Sequence, residues 1–210
     1  MAARRRPRID GEVTRARLFD AALRLFVKHG YAATSVEQIT REAGVGKGTF
    51  FVHFATKDAV VTQLVRDQVR GARGARDRVI AKGGTPIEAL RATVMALGGA
   101  VAIDRELSRV VIAANILNPT LGGFVESVFG GIVAEMMDDV RSAQRAGLLD
   151  PAIEAETIAG TLLTSYFGAA LHFATAPRSR PMLELLAPVV EANLAGFAVH
   201  RRARRPPSRP

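Results

Sequence analysis

The segment GVGKGTFFVHF, from Gly44 to Phe54, places glycines, one lysine and one threonine where they could bind a phosphate group. A nucleotide-binding loop has the pattern G-x-x-x-x-G-K-[ST] between a strand and a helix, so that backbone amides and the lysine hold one phosphate. Here Arg41 replaces the first glycine of the pattern, and Gly48 follows Lys47 where serine or threonine is required. The preceding residues, SVEQITREA, have helical periodicity rather than the pattern of a strand. The sequence therefore disfavours a nucleotide site.

The same segment fits the second helix of a helix-turn-helix, in which two short helices are joined by a tight turn after a longer helix. Ala43 would let the two helices approach closely, and Gly44 would permit a left-handed turn. A recognition helix over 47–53 would present small, basic and hydroxylated groups suited to base edges and phosphates. The residues expected on this outer face are Gly46, Lys47, Thr49, Val52 and His53. The apolar side chains expected to fix the crossing angle are Ile39, Val45, Phe50 and Phe54.

Helical periodicity continues through the rest of the chain, without strand-like alternation or a repeat of fixed period. The first helix is predicted from Thr14 to a stop at Gly30, and a long fourth helix runs from Lys57 toward Lys82 with Thr56 as its N-cap. Proline, glycine and capping residues delimit the helices that follow. Those helices are predicted to end near Val101, Leu117, Ala146, Phe173 and Val199. The sequence therefore predicts an all-α fold of about nine helices.

Residue types that carry catalytic or metal chemistry are missing or scattered. The 210 residues include no Cys, which excludes disulfides, thiolate metal sites and cysteine nucleophiles. The four His residues lack metal-ligand spacing and no nucleophile–base pair is present, so we expect no metal, no cofactor and no catalytic site. No apolar run is long enough to span a membrane, and the N-terminus lacks the apolar core of a signal peptide. We therefore expect a soluble, cytoplasmic protein that is not an enzyme and has no membrane partner.

Positive charge is concentrated at the two ends of the chain. Residues 1–58 contain 11 Lys and Arg against 6 Asp and Glu, residues 59–196 contain 13 against 14, and residues 197–210 contain five Arg and no acid. A nearly neutral body with basic ends favours a nucleic-acid-binding module attached to a separate domain. The alternative is that basic ends only keep the protein soluble. The predicted organisation is a disordered basic arm (1–12), a helix-turn-helix domain (13–58), a second helical domain (59–199) and a disordered basic tail (200–210).

The segment from Thr14 to Val65 resembles the N-terminal DNA-binding domain of TetR-family transcriptional regulators. The resemblance rests on the gapless series LF..HG...TSV..I...AGV.KGT.F.HF..K, whereas the remaining chain is similar only in helix number, length and its GLLD segment. It implies a ligand-responsive regulator, a repressor that binds a palindromic operator in double-stranded DNA as a homodimer. An architectural DNA-binding protein without a small-molecule ligand is the alternative.

The resemblance also implies individual DNA contacts. Thr34 would bond a phosphate through its hydroxyl at the start of the second helix, and Lys57 would hold the backbone of the other strand. Thr34 and His53 also have ordinary interpretations, as a helix cap and a helix-surface residue. The full set of expected DNA contacts is Thr34, Ser35, Gly46, Lys47, Thr49, Phe51, Val52, His53 and Lys57.

Two residues depart from the family pattern. Phe51 stands where members usually carry Tyr, whose hydroxyl would reach a phosphate, so Phe51 would instead pack on the sugar–phosphate backbone or a thymine methyl. Gly46 stands where Ser or Ala is common, which removes a hydroxyl cap and about 0.5–1 kcal/mol of helix stability. We therefore expect the N-terminal arginines to share the phosphate contacts.

In this family the last two helices form a four-helix bundle with those of the partner subunit. Small residues within 156–173 and 182–199 would permit close approach of the two subunits. The candidate interface side chains are Leu162, Tyr166, Ala170, Phe173, Leu185, Val189 and Phe197. We expect about half of them to lie in the core of a single chain instead.

The resemblance further implies a ligand cavity between the remaining helices. Residues 118–139 contain two Gly-Gly pairs, which could make room for a ligand or a neighbouring helix. The candidate ligand contacts, each of which could also be ordinary core, are Met95, Asn115, Phe124, Phe129, Met136, Tyr166 and His172. Their composition predicts a small hydrophobic effector, which would tilt the fourth helix and separate the recognition helices of the dimer.

Overall fold

The computed structural model describes residues 7–199 except 103, 118, 177 and 179, with side chains undescribed for residues 7–10, 101 and 113–127. Within this part of the chain nine helices and no strands form, which confirms the predicted all-α fold. The helices are α1 (Pro7–His29), α2 (Val36–Ala43), α3 (Lys47–His53), α4 (Asp58–Ala81), α5 (Pro86–Val101), α6 (Arg105–Leu117), α7 (Pro119–Arg145), α8 (Ala155–Thr175) and α9 (Met182–Gly196).

The first helix begins earlier than its predicted start at Thr14. Because α1 already covers residues 7–12, the disordered arm expected over 1–12 is too long. Proline is well suited to the first position of a helix, where its missing N–H would have no intrahelical partner. The rest of the expected arm, residues 1–6, and the expected tail, residues 200–210, lie outside the described residues.

Capping residues end and begin the short helices where the sequence predicts. Ser35 Oγ accepts a hydrogen bond from the backbone N–H of Gln38, and Gln38 Oε1 accepts one from the N–H of Ser35, so that α2 starts with a complete capping box. Gly44 ends α2 with φ of 66°, a left-handed conformation that favours glycine. Thr85 and Glu88 form a second capping box at the start of α5.

The last helix ends at Gly196, before the predicted Val199. Beyond α9, Ala198 pairs with Leu149 in an isolated antiparallel bridge. The N–H of Asp150 donates to the carbonyl of Phe197 at 2.8 Å. Backbone groups after α9 therefore form hydrogen bonds with the turn after α7, so they do not need the hydrogen bonds of a further helical turn.

Two apolar cores are joined by α4. The N-terminal core contains residues of α1, α2 and α3 together with Val60 and Val61 of α4 and Val110 of α6. The larger core is built from α4 to α9 and includes Val65 and Val69 of the same α4. The predicted division at residue 58 thus coincides with the first turn of a helix that contributes to both cores.

Glycines inside helices allow close packing with neighbouring elements. A Cβ at Gly98 of α5 would lie 2.6 Å from Cδ2 of Leu186 in α9, well inside van der Waals contact. A Cβ at Gly131 of α7 would lie 2.7 Å from Nη2 of Arg73 in α4. At least one residue of the Gly-Gly pairs therefore makes room for a side chain of the protein itself.

No single helix in the described part of the chain combines the length and apolar composition needed to cross a membrane. The bent pair Pro86–Ala100 and Arg105–Ile112 meets that criterion by length and composition only.

Candidate nucleic-acid interface

Aromatic packing and arginine hydrogen bonds hold the candidate recognition helix α3 in place. Phe50 and Phe54 are buried, with their ring centroids 5.7 Å apart, so they fix one face of α3 against the N-terminal core. Arg15 of α1 donates from Nη1 to the carbonyl of His53 at 2.8 Å and lies 4.6 Å from the centre of the Phe54 ring. Arg17 donates to the carbonyl of Ala43 at 2.6 Å. Both arginines neutralise the carbonyl ends of short helices, which stabilises the arrangement.

Sequence reasoning missed Arg15 and Arg17 as positioning residues. In the sequence both contribute only to the positive charge of the N-terminal part. Their spacing on α1 gives no sign of which helix ends they reach, because the C-terminal carbonyls of α2 and α3 come close only in the folded domain.

The residues expected on the outer face of α3 differ in exposure. Val52 is 79% exposed and Phe51 50% exposed, and the backbone of Gly46, Lys47 and Gly48 is open to solvent. Thr49 and His53 lie at the flanks and are half-buried. The exposed ammonium of Lys47 is ion-paired with Glu37 of α2, so a phosphate would have to compete with this carboxylate. Ser35 is exposed at the N-cap of α2, beside this face.

Thr34 does not present its hydroxyl to DNA, which corrects the prediction. The residue is buried, and its Oγ1 donates to the carbonyl of Gly30 at 2.8 Å. The carbonyl oxygen of Leu25 is a second acceptor, 3.2 Å from the same Oγ1. A phosphate oxygen can only accept a hydrogen bond, and the single hydroxyl proton of Thr34 is already used. Thr34 therefore closes the turn between α1 and α2.

Lys57 is committed mainly to the same turn rather than to the DNA backbone. Its ammonium donates to the carbonyls of Tyr31 at 2.7 Å and Thr34 at 2.8 Å, and it lies 4.3 Å from the centre of the Tyr31 ring. Burial lowers the pKa of this amine, while the charge of Asp58 opposes that effect. Only one of its three N–H groups remains for a phosphate, so the predicted role of Lys57 as a primary DNA contact needs correction.

Tyr31 completes this network by donating its hydroxyl to Asp58. Partial burial and the neighbouring Asp58 carboxylate raise the pKa of Tyr31 above its ordinary value. The turn before α2 is thus fastened to the start of α4.

The candidate ligand residues separate into buried and exposed groups. Phe129, Met136 and Tyr166 are buried together in the larger core. Met95 is half-buried and lines a surface groove of about 680 Å³ between the α4–α5 turn and α5. His172 is exposed on α8 and does not face the interior, which corrects that prediction. The side chains of Asn115 and Phe124 lie outside the described residues.

A buried polar pair crosses the larger core, and sequence reasoning found only half of it. Nε2 of Gln68 donates to the hydroxyl of Tyr166 at 2.6 Å and to the carbonyl of Leu97 at 2.8 Å. Oε1 of Gln68 is buried and has no hydrogen-bond partner among the described residues. Burial raises the pKa of Tyr166 to about 12, against the effect of the Gln68 hydrogen bond. The position of Gln68 on the apolar stripe of α4, after Val61 and Val65, was the available signal.

Four candidate interface residues belong to the core of the single chain. Leu162, Tyr166, Ala170 and Phe173 form the inward face of α8 and are buried, which corrects their assignment to a dimer interface. Leu185 and Phe197 are half-buried, whereas Val189 is exposed. The outward face instead carries a shallow groove of about 500 Å³ between α8 and α9. Its lining residues are Glu156, Thr157, Gly160, Thr161, Thr164, Ser165, Val189 and Asn193.

Metal coordination finds no support in the described residues, where no three His, Asp or Glu side chains are grouped to hold an ion.

Comparison with known proteins finds a similarity that begins in the N-terminal part of the chain. Residues 18–64 match the model of the bacterial regulatory proteins of the tetR family. Over 160 residues, 76% of this chain and 81% of the relative, the sequence is 24% identical to the HTH-type transcriptional regulator UidR of Escherichia coli K12.

Solved structures extend the likeness over nearly the whole chain. The crystal structure of Thermus thermophilus FadR, a TetR family transcriptional repressor in complex with lauroyl-CoA, is 26% identical. It superposes with a TM-score of 0.70 over 92% of this chain and 100% of that one. The fatty acid degradation regulator FadR of Bacillus halodurans is 19% identical, with a TM-score of 0.76 over 87% and 95% of the two chains, and shows the same fold.

Proposed function

We propose that the chain is a TetR-family transcriptional regulator rather than an enzyme, and that it acts as a dimeric repressor that a hydrophobic effector releases from a palindromic operator. The match of residues 18–64 to the tetR family and the likeness to regulators over most of the chain support this proposal. The observation that carries the proposal is the outer face of α3, where Lys47, Phe51 and Val52 are exposed on a helix that buried aromatic residues hold rigidly. A recognition helix enters the major groove with such a face, while the preceding helix contacts the DNA backbone.

The dimer is proposed to form through the outward faces of α8 and α9. Gly160, Gly168 and Gly196 on these helices would let a second copy approach closely. A Cβ built at any of them would have no described atom within 4 Å other than those of its chain neighbours and of the surrounding helix backbone. Exposed apolar side chains on the same helices are Leu171, Leu183 and Val189. Two recognition helices must lie about 34 Å apart to enter successive major grooves on one side of DNA. Because one α3 presents few base-reading groups, a dimer is needed for useful specificity.

The effector is proposed to bind in the larger core beside Gln68 and Tyr166. The unpartnered Oε1 of Gln68 can accept a hydrogen bond, and the Tyr166 hydroxyl, which accepts from Nε2, has a proton still to donate. Aromatic rings surround the pair, since the centroid of Phe167 lies 4.9 Å from that of Tyr166 and 5.3 Å from that of Phe129. This setting favours an apolar ligand with one polar group.

Release from DNA would then follow from a movement of α4. Gln68 lies on α4, and Lys57 and Asp58 at the start of the same helix hold the turn before α2. A ligand that bonds Gln68 better in one tilt of α4 than in another shifts the population of the two tilts. The displacement would move the α2–α3 unit of each subunit and change the spacing of the two recognition helices.

The proposal is tested by selecting binding sites for the full chain from random double-stranded DNA, followed by footprinting of the selected sequence. A dimeric regulator gives a palindromic footprint, and sedimentation velocity gives the mass of two chains. Protection of all sequences alike would overturn the operator proposal and favour the architectural alternative. Equal protection of a site without symmetry by a monomer would overturn the dimer.

Effector release is tested with lauroyl-CoA, the ligand of the Thermus relative, with CoA lacking the acyl chain as its control. We expect lauroyl-CoA to reduce operator affinity and CoA to have no effect. The variant Gln68→Leu should retain operator binding and lose most of the response, because the polar anchor is gone. An equal response in wild type and variant would remove Gln68 from the mechanism.

A further inference from the structure

The outermost row of the recognition helix is apolar. On α3, Phe50 points into the core, so residues two positions before and after it lie on the opposite side of the helix. Those residues are Gly48 and Val52, one turn apart. Val52 is 79% exposed, and a Cβ at Gly48 would have no described atom within 4 Å other than those of its chain neighbours and of the surrounding helix backbone. The first atoms to meet a DNA groove are therefore the methyl groups of Val52.

The ring of Phe51 extends this apolar row to one side. It is 50% exposed and packs edge-on against the buried ring of Phe50, with centroids 5.5 Å apart and an interplanar angle of 84°. This contact limits the freedom of the Phe51 ring without covering it. Lys47 lies on the same flank, while Thr49 and His53 lie half-buried on the other. Hydrogen-bonding groups thus border the row and none lies at its centre.

The chemistry of the major groove determines which group can meet such a row. Base pairs present hydrogen-bond donors and acceptors there, and their apolar group is the C5 methyl of thymine. Placing valine methyls against a donor or acceptor would remove water from it without replacing its hydrogen bond, which is unfavourable. At Gly48 the missing side chain lets the helix backbone approach the base edges closely. A thymine methyl is therefore the base group that complements the Gly48–Val52 row.

We propose that Val52, flanked by Phe51, recognises the C5 methyl group of a thymine in each operator half-site. The inference rests on the proposed function, since it requires a specific operator bound by two copies of α3. It assigns base reading to an apolar contact and leaves Lys47 and Ser35 to position the helix on phosphates.

The test replaces each thymine of the selected operator, one position at a time and symmetrically, with deoxyuridine, which removes only the C5 methyl. Losing one buried methyl lowers affinity about fourfold, equivalent to about 0.8 kcal/mol. Replacement in both half-sites should lower it roughly 15-fold, because the two contacts add. The measurement is the dissociation constant at one fixed salt concentration.

The variant Val52→Ala completes a cycle with the modified DNA. The variant should bind the thymine operator more weakly and should no longer distinguish thymine from uracil at the identified position. Val13→Ala, at another exposed valine on α1, is the control and should keep the full discrimination. Because Val52 is highly exposed, the variant should fold normally, and the deoxyuridine arm needs no variant at all.

Three outcomes would overturn the inference, and they are distinguishable. If deoxyuridine at every thymine position leaves the affinity unchanged while the operator stays specific, the inference that Val52 recognises a thymine methyl is wrong and the proposed function stands. If uracil weakens Val52→Ala as much as the wild type, another residue reads the methyl. If no specific operator can be selected, the premise fails and both proposals fall together.

Discussion

Replacing Asp139 with Asn would measure how strongly α7 is fastened to α4. Arg76 donates from Nε to Oδ2 of Asp139 at 2.6 Å and from Nη2 to Oδ1 at 2.8 Å, a bidentate pair between the two helices. The side chains are 18% and 8% exposed, so water replaces little of what the substitution removes. Removing one partner of a buried ion pair typically costs about 3–5 kcal/mol.

The expected loss for Asp139→Asn lies just below that range, about 2–3 kcal/mol in the free energy of unfolding. Asn keeps the shape and one acceptor oxygen, and the guanidinium of Arg76 retains a weaker contact with exposed Asp77 at 3.4 Å. The double variant Arg76→Met with Asp139→Leu should recover much of the loss, because no buried charge is left without a partner. Urea unfolding followed by far-UV circular dichroism, at one protein concentration, gives these differences.

Another pair in the same chain provides the matched control. Arg91 and Glu191 also form a bidentate pair, with Arg91 Nη2 2.8 Å from Glu191 Oε2, but the two side chains are 39% and 52% exposed. Glu191→Gln should therefore cost less than about 1 kcal/mol. If Glu191→Gln destabilises as much as Asp139→Asn, or if the double variant is less stable than Asp139→Asn, burial does not determine the strength of the α4–α7 pair.

Three further predictions concern the titration of the tyrosines and the interface. Burial raises the pKa of Tyr166 to about 12 and, with a nearby carboxylate, that of Tyr31 as well, so neither of the two tyrosines should ionise near pH 10 while the protein is folded. Because tyrosine in the unfolded chain ionises at about pH 10, the free energy of unfolding should fall as the pH rises from 10 toward 12. The measurement is the ultraviolet absorbance of tyrosinate in the native protein, and a half-maximal signal near pH 10 would contradict this prediction. Lys47→Ala should reduce the slope of log affinity against log salt concentration by about 1, and an unchanged slope would exclude a phosphate contact of Lys47. Glu37→Gln should raise DNA affinity, because it releases Lys47 from its ion pair. Thr34→Val should cost about 1 kcal/mol of stability by removing a hydroxyl–carbonyl hydrogen bond, and a changed salt slope would show that Thr34 reaches DNA after all.

Helix boundaries were the most predictable part of the fold because local chemistry determines them. Gly44 adopts the left-handed turn that ends α2, and α3 covers the predicted Lys47–His53. The start of α1 was not predictable in the same way. Residues 1–12 are rich in Arg and Pro, and composition alone does not separate a disordered arm from the extension of a helix that continues into a packed domain.

The faces of α8 were hard to predict because its outward side is only weakly polar, with Thr157, Thr161 and Thr164 beside small residues and an exposed Leu171. Leu162 and Tyr166 lie inward, whereas Gly168 and Leu171 lie outward, and both sets have helical spacing. Threonine and glycine on the outward side give periodicity little contrast with the apolar side. Only the packing of α8 against its neighbours decides which row is buried, and that row was the one proposed as the interface.

Roles of polar side chains at the site were harder to predict than their positions. Thr34 and Lys57 have residue types suited to phosphate, yet both are used by backbone carbonyls of the turn between α1 and α2. Those carbonyls come within reach only when the turn folds back on the start of α4. The same limit applies to Gln68, whose partner Tyr166 is distant in sequence. Sequence gives the donors and acceptors, whereas the fold decides which of them are already paired.

The commitment of Lys57 to the turn gives α4 a defined part in the proposed mechanism. Gln68 lies eleven residues after Lys57, about 16 Å along the axis of a helix that rises 1.5 Å per residue. A tilt of α4 that starts at Gln68 therefore moves an ammonium already bonded to the carbonyls of Tyr31 and Thr34. Since Thr34 directly precedes the N-cap of α2, the DNA-binding unit cannot keep its position while the start of α4 moves. The hydrogen bond from Tyr31 to Asp58 and the packing of Val60 and Val61 in the N-terminal core act in the same direction, so Lys57 adds to a connection that α4 already has with α2 and α3.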